Sequence, residues 1–203
     1  MERPNYEDYL VYVYFGTIEK NELVTACIRR AYRDFNRTLR GVSKVECNDQ
    51  LYKRAECDLA HALDELKATC AQGITEAAFD AWHRKTCEML ILTYSDKGYD
   101  SFSHGQAQKW INMTLKYIFV LGESRVEGFN NAYPLCHAPL DNILLEALKK
   151  YSFPRLPCAW SRLTDYDVYL DRQKWIRNNI GLKPLDAEFL LWMGKEVPLM
   201  HGS

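Results

Sequence analysis

The fold of this chain is decided by residues 104–148, which read HGQAQKWINMTLKYIFVLGESRVEGFNNAYPLCHAPLDNILLEAL. The first part of this stretch predicts a strongly apolar helix from about Gln106 to Leu121, and a helix that is apolar on most faces is expected to cross the core. Its last part predicts a helix from Pro139 to about Lys150, because proline is favoured at the first helical position. The joining loop, 122–138, is long, and long loops in compact domains are often functional.

Helical periodicity continues on both sides of this stretch. Apolar residues spaced four apart predict one helix from near Thr17 to Gly41 and another over about 48–71, and Thr75 is expected to cap a third. Two further helices are predicted near the ends of the chain, over about 164–179 and 184–194.

The remaining aromatic segment, residues 6–15, fits either a strand or a docked helical turn. One such segment without a clear partner does not make a sheet. About seven helices, with no repeat or linker between them, therefore predict a single all-α domain spanning residues 1–203.

Composition is typical of one globular domain. The 203 residues are 47% hydrophobic and 26% charged, and the net charge of −1 provides no overall basic field for DNA, although local patches can still bind it. No run approaches the roughly 20 apolar residues of a membrane span, and no signal peptide is recognised. The seven cysteines are irregularly spaced. We therefore expect a cytoplasmic protein with reduced thiols and no membrane partner.

Two charged residues of the opening stretch carry the chemistry that we expect. Lys109 lies near the start of the first predicted helix, and Asp141 lies in the first turn of the second. Removal of a base from its sugar creates an oxocarbenium-like centre, which a nearby carboxylate stabilises. A lysine attacks such a carbon when its amine is neutral, and burial near a helix N-terminus favours that form. The simpler alternative is a solvated helix charge and an aspartate that complements a helix dipole.

The same stretch resembles the helix–hairpin–helix DNA glycosylase superfamily, most nearly its archaeal 8-oxoguanine glycosylase branch. The resemblance rests on Lys109 ahead of the run WINMTLKY, on the element Pro139-Leu140-Asp141, and on their separation. It implies that Lys109 is a nucleophile that forms a Schiff base and that Asp141 is its electrostatic partner. Most members carry a glycine-rich hairpin before the lysine that grips phosphate, whereas this chain has Gly105 alone.

A base extracted from DNA also needs a pocket lined by aromatic side chains. Candidates for that lining are Trp82, Trp110, Trp160 and Phe102. Two histidines flank the elements that carry the lysine and the aspartate, where either could relay protons, although a single histidine is more often structural. The residues predicted to bind substrate are Trp110, His104, His137 and Gln108.

Five arginines crowd one face of the first long helix: Arg29, Arg30, Arg33, Arg37 and Arg40. Such a stripe can follow a phosphate backbone. The neutral overall charge instead favours a solvated face whose acidic partners lie on the second helix.

A zinc site is a further alternative. Cys57 and His61 are four residues apart on one predicted helix, and His83 and Cys87 are four apart on the next, so four ligands could gather between antiparallel helices. The first pair lies opposite the apolar stripe of its helix, which argues against the site. We predict no metal and no cofactor.

The leading hypothesis is an all-α, DNA glycosylase-like protein that binds DNA and excises a damaged or modified base through Lys109 and Asp141. The rival hypothesis is a non-catalytic helical module that binds a protein partner or acts as a regulator. A third keeps the glycosylase scaffold for DNA binding without catalysis.

Overall fold

The computed structural model describes residues 6–200, which form eight α-helices and short 3₁₀ turns. Across these residues no β-strand is present, and the predicted all-α domain is confirmed. The helices are α1 (Tyr6–Phe15), α2 (Lys20–Phe35), α3 (Asn48–Ala71), α4 (Glu76–Ser95), α5 (His104–Leu121), α6 (Asn142–Leu148), α7 (Tyr166–Asn179) and α8 (Pro184–Trp192).

Helix α5 crosses the core, as its apolar sequence predicts, and it packs most extensively against α2 and α4. Trp110 lies at its centre with no exposed surface, among the rings of Tyr32, Phe35 and Tyr52 at centroid distances of 5.0, 5.6 and 6.2 Å. The indole N–H donates to the Ile28 carbonyl at 3.0 Å, so the ring is satisfied within the core. The central helix is therefore held by an aromatic cluster on one side.

The start of α5 is determined by a capping box. The Ser103 hydroxyl accepts from the Gln106 N–H, and the Gln106 side chain accepts in turn from the Ser103 N–H. Gly105 is the second residue of the helix, and a Cβ added to it would lie 1.6 Å from the Trp160 carbonyl oxygen. Glycine is therefore required here, because it lets the turn Trp160–Arg162 lie directly against α5.

Several predicted boundaries differ from the structure. Segment 6–15 is helical, so the strand alternative is wrong. Helix α2 begins at Lys20 and not near Thr17, because the Thr17 hydroxyl accepts the Glu19 N–H ahead of the helix; it ends at Phe35, well before Gly41. The boundaries predicted for α3 and the Thr75 cap of α4 are confirmed.

Helix α6 begins at Asn142 and not at Pro139. Asp141 is its N-cap, in extended conformation, and its side chain accepts the N–H groups of Ile143 and Leu144. The preceding residues are in neither helix nor strand, and they join the cap to the buried His137. Asp141 is therefore the residue that starts the helix and does not lie within its first turn.

Helix α1 is the opposite of α5 in its environment. It contains no buried residue, although eight of its ten residues are aromatic or aliphatic. Val11 and Phe15 are partly buried against the core, and the Asp8 carboxylate lies 2.6 Å from Arg125. Among the helices of residues 6–200, none combines the length and apolar character that crossing a membrane would require.

Candidate active site

Lys109 and Asp141 are brought together, as the leading hypothesis requires. The Lys109 Nζ lies 2.5 Å from the Asp141 Oδ2, and the two side chains are 5% and 14% exposed. Lys109 occupies the second turn of α5, since that helix starts at His104. The alternative of a solvated lysine is therefore wrong, because this charge is buried and paired.

The start of α6 fixes the orientation of the Asp141 carboxylate. Its Oδ1 accepts from the N–H groups of Ile143 at 3.0 Å and Leu144 at 2.9 Å. This leaves Oδ2 for Lys109, so each carboxylate oxygen has a separate partner. The cap and the ion pair together hold the carboxylate in one rotamer.

The ion pair lies in the wall of an open cavity of about 330 Å³. Aromatic residues contribute much of the lining: Tyr14, Tyr117, Trp160 and Trp192. Three further cations surround the pair: Arg30, Arg37 and Lys116. The cavity thus combines flat apolar surfaces with positive charge, which suits a ligand that is both aromatic and anionic.

One wall of the cavity is a hydrogen-bonded group that joins α1, α2 and α5. Asp34 pairs with Arg30 at 2.9 Å and accepts from the Tyr117 hydroxyl at 2.6 Å, and the Tyr14 hydroxyl donates to that of Tyr117 at 3.1 Å. Burial and the hydrogen bond to Asp34 raise the pKa of Tyr117. These groups neutralise one another, whereas exposed Arg37 has no ion pair within residues 6–200.

A second buried ion pair lies on the same face of α5. The Lys116 Nζ lies 2.8 Å from Glu188 Oε1 and 2.7 Å from its Oε2, and Glu188 has no exposed surface. Burial raises the pKa of Glu188, against the opposing effect of Lys116. Since Lys109 and Lys116 are separated by two helical turns, they share one side of the helix. Lys116 is thus a second amine beside the cavity, with its own carboxylate.

The four residues predicted to bind substrate lie elsewhere. Trp110 is in the aromatic core, and Gln108 and His137 are fully buried among protein groups. His104 is partly buried, and one of its ring nitrogens bonds to the Thr164 carbonyl at 2.7 Å. None of the four lines the cavity, and three of them are buried. The predicted aromatic lining is present in Trp160 but not in Trp110, Trp82 or Phe102.

His137 belongs to a buried network between α4 and α7. Its Nε2 lies 2.9 Å from Asp80 and its Nδ1 lies 2.8 Å from the Tyr169 hydroxyl. Burial lowers the pKa of His137 to about 4, although the Asp80 carboxylate acts in the opposite direction. Burial likewise lowers the pKa of neighbouring His83. Both rings are therefore neutral structural groups near neutral pH, and neither reaches the Lys109 cavity.

Gly105 does not form a phosphate grip. Its N–H donates to the Leu163 carbonyl at 2.9 Å, and its lack of a side chain accommodates the Trp160 backbone. The glycine before the lysine is thus explained by packing, because its donor is already occupied.

The arginine stripe and the zinc alternative have separate outcomes. Arg29 pairs with Glu56 of α3 at 2.9 Å, in agreement with the acidic partners expected there, while Arg37 lines the cavity.

Within residues 6–200 no group of His, Cys, Asp and Glu is arranged to hold a metal. Cys57 and His61 are exposed, whereas His83 and Cys87 are buried, because the two pairs lie on different faces of their helices.

Sequence reasoning missed Lys116, Tyr117 and Asp34. Lys116 and Tyr117 lie seven and eight residues after Lys109, the spacing that returns to one face of a helix after two turns. That spacing was the available signal for the first two. No local signal identifies Asp34, because it reaches the cavity through the packing of α2 on α5.

No protein-family model, curated protein or solved structure matches this chain.

Proposed function

We propose that the chain is a DNA glycosylase-like protein that binds DNA and excises a damaged or modified base, with Lys109 as the nucleophile. The observation that carries the proposal is the buried contact between Lys109 Nζ and Asp141 Oδ2 in the wall of a cavity lined by aromatic and cationic groups. A lysine that reaches a sugar carbon and a carboxylate that stabilises positive charge are the two parts that this reaction needs.

The proposed chemistry begins with transfer of a proton from the Lys109 ammonium to Asp141, the group in direct contact with it. The free Nζ electron pair then forms a bond to the sugar C1′ while the glycosidic bond breaks. The base leaves with the electrons of that bond and takes up the proton from Asp141. The carboxylate regenerated in this way opposes the positive charge that develops on the sugar. Opening of the sugar ring then gives an imine between Lys109 and C1′.

The cavity also suits the nucleic acid that would deliver the base. Trp192 is half exposed at the cavity and could stack on a flipped base, and the largely buried Trp160 adds aromatic lining beside it. Arg37 is exposed at the lining and has no ion pair among the described residues, so it is placed to bind a phosphate. The positive charge needed for DNA is thus local, which is compatible with a net charge of −1.

Borohydride trapping tests the proposal. Duplexes carrying 8-oxoguanine, uracil or an abasic site are incubated with the protein, and borohydride reduces any imine to a stable amine. We expect a covalent adduct whose peptide map places it on Lys109. The yield should fall at least about a hundredfold in Lys109→Gln.

Two variants make the test specific. Asp141→Asn keeps a good N-cap but removes the charge, so we expect a folded protein with a trapping rate lower by about a hundredfold. Lys85→Gln removes an exposed lysine of α4 and should leave the yield unchanged. An adduct on Lys116 would overturn the assignment of the nucleophile. The absence of any adduct from all three duplexes would overturn the reaction.

A non-catalytic interaction module is the second candidate, and one observation favours it. Helix α1 exposes a run of large apolar side chains: Tyr6, Tyr9, Leu10, Tyr12 and Val13. Exposed apolar patches of this kind mark binding surfaces for proteins. The two candidates differ in salt dependence, because DNA binding weakens steeply with salt. Neither an adduct nor salt-sensitive DNA binding would favour the interaction module.

A further inference from the structure

Asp141 is preceded by a segment without helix or strand, residues 136–140, in which two buried glutamines bind the backbone. Gln173 of α7 accepts the Ala138 N–H at 3.0 Å and donates to the Ala138 carbonyl at 2.8 Å. Gln108 of α5 makes the same two-way contact with Leu140, accepting its N–H at 3.2 Å and donating to its carbonyl at 2.9 Å. Each side-chain amide thus binds both the N–H and the carbonyl of one residue, as the backbone of a neighbouring strand would.

Gln108 uses its whole hydrogen-bonding capacity in this position. Besides the two bonds to Leu140, its Nε2 donates to the Gly105 carbonyl at 3.0 Å and its Oε1 accepts from Asn112 at 3.0 Å. An amide has two donors and two acceptor sites, so all four are filled. A flipped amide would bring donor against donor and acceptor against acceptor, and the side chain therefore has one favourable orientation.

Asn112 fixes that orientation from the far side. Its Nδ2 donates to both Gln108 and the Tyr169 hydroxyl, and its Oδ1 lies 3.0 Å from His83 Nε2. The amide of Gln108 is thus part of the rigid buried network between α4, α5 and α7. A fully satisfied network of this kind holds its members in place, because any displaced group would lose a partner away from water.

We propose that Gln108 is a positioning residue, which sets the contact between Lys109 Nζ and Asp141 Oδ2 by binding the backbone of Leu140. Gln108 and Lys109 are neighbours on α5, and Leu140 and Asp141 are neighbours at the end of the loop before α6. One side chain therefore joins the two backbones that carry the ion pair. The relevance of this contact for catalysis rests on the proposed function, whereas the positioning itself does not.

Amine labelling measures the positioning directly. Acetic anhydride acylates free amines, and mass spectrometry compares the labelling rate of Lys109 with that of exposed Lys85 in the same sample. In Gln108→Glu, a carboxylate of the same shape faces the carbonyls of Gly105 and Leu140 and cannot donate to them. We expect Lys109 to label about tenfold faster than in the wild type, since its partner is no longer held against it.

Matched variants separate positioning from a general loss of stability. Gln173→Glu makes the same chemical change in the glutamine that binds Ala138, two residues before Leu140. It should change the labelling rate of Lys109 by less than about twofold. Gln108→Met removes the bonds without adding charge, and it replaces Gln108→Glu if circular dichroism shows that variant to be unfolded. Wild-type labelling of Lys109 in the folded Gln108 variant, or an equal increase in Gln173→Glu, would overturn the proposal.

The same samples distinguish the two proposals. If the wild type forms no imine with any duplex but Lys109 labelling responds to Gln108, the reaction fails and the positioning holds. If the imine forms on Lys109 but the labelling rate of Lys109 is unchanged in the Gln108 variants, the proposed reaction is supported and the proposed positioning is overturned. Trapping in Gln108→Glu across a pH series adds a third readout, because a displaced carboxylate should change the pH profile and not only the amount of folded enzyme.

Discussion

Helices α5 and α1 reverse the usual relation between polarity and burial. Helix α5 buries two lysines, two glutamines and an asparagine, namely Lys109, Lys116, Gln106, Gln108 and Asn112. Helix α1 instead exposes a run of tyrosines and aliphatic residues. The polar residues of α5 are tolerated inside because each has specific partners, such as Asp141 for Lys109 and Glu188 for Lys116. An apolar side chain outside carries no such requirement.

This difference indicates where function is concentrated. Burial of charge lowers stability unless geometry compensates, so a helix that retains several buried charges beside one cavity is a candidate for chemistry. Exposure of an apolar helix instead points to association. The two regions therefore correspond to the two candidate functions, and variants of each can test whether the contrast is real.

The largest expected effect comes from breaking the Lys116–Glu188 pair. Glu188→Leu removes a buried carboxylate and leaves the ammonium without its partner, which should lower the free energy of unfolding by about 3–5 kcal/mol in urea denaturation. The double variant Lys116→Met/Glu188→Leu removes both charges and should recover most of that loss. A double variant as unstable as the single one would show that packing, and not the unpaired charge, is responsible.

Acid should destabilise the network that α5 shares with α4 and α7. His137 has a pKa of about 4 when folded and an ordinary value of 6.5. Between those values the unfolded chain binds more protons, so His137 should lower the free energy of unfolding by about 3 kcal/mol as the pH decreases from about 6.5 to about 4. Burial opposes the ionisation of Asp80, yet His137 and Arg177 hold its pKa below the ordinary value, so it contributes a further loss at lower pH.

Urea denaturation at a series of pH values measures this effect. His137→Gln should reduce the dependence between about pH 4 and 6.5, and the dependence that remains includes the contribution of His83, whose pKa burial also lowers. His61→Gln, at an exposed position of α3, should leave the dependence as in the wild type. If the free energy of unfolding of His137→Gln depended on pH as steeply as that of the wild type, folding would not lower the pKa of His137.

A smaller effect is expected where α5 meets the turn Trp160–Arg162. In Gly105→Ala the new methyl group would lie 1.6 Å from the Trp160 carbonyl oxygen, so the turn must move away. We expect the free energy of unfolding to fall by about 1–3 kcal/mol and the tryptophan fluorescence to change. Gly181→Ala is the matched control, because its nearest atom lies 3.4 Å away. Equal losses in both variants would contradict a specific requirement for glycine at the start of α5.

The sequence predicted the helices better than their surroundings. Local periodicity and capping residues sufficed for α3 and for the Thr75 cap of α4, since these depend on neighbours within a few residues. The pairing of Lys109 with Asp141 was predicted from spacing and resemblance. Trp110, His137 and Gln108 were assigned to substrate because their types suit it, but their burial depends on α2, α4 and α7, which no local pattern locates.

The smallest expected effect is on α1, and it tests the comparison most directly. Leu10→Ala on α1 and Leu115→Ala on α5 are the same change at a site that is 65% exposed and at one with no exposure. The first should alter the free energy of unfolding by less than about 0.5 kcal/mol, and the second should lower it by about 2–5 kcal/mol. A loss above about 1 kcal/mol in Leu10→Ala would mean that the side chain is covered in solution. Sedimentation at several protein concentrations would then decide whether a second copy covers it, because stability gained by self-association rises with concentration.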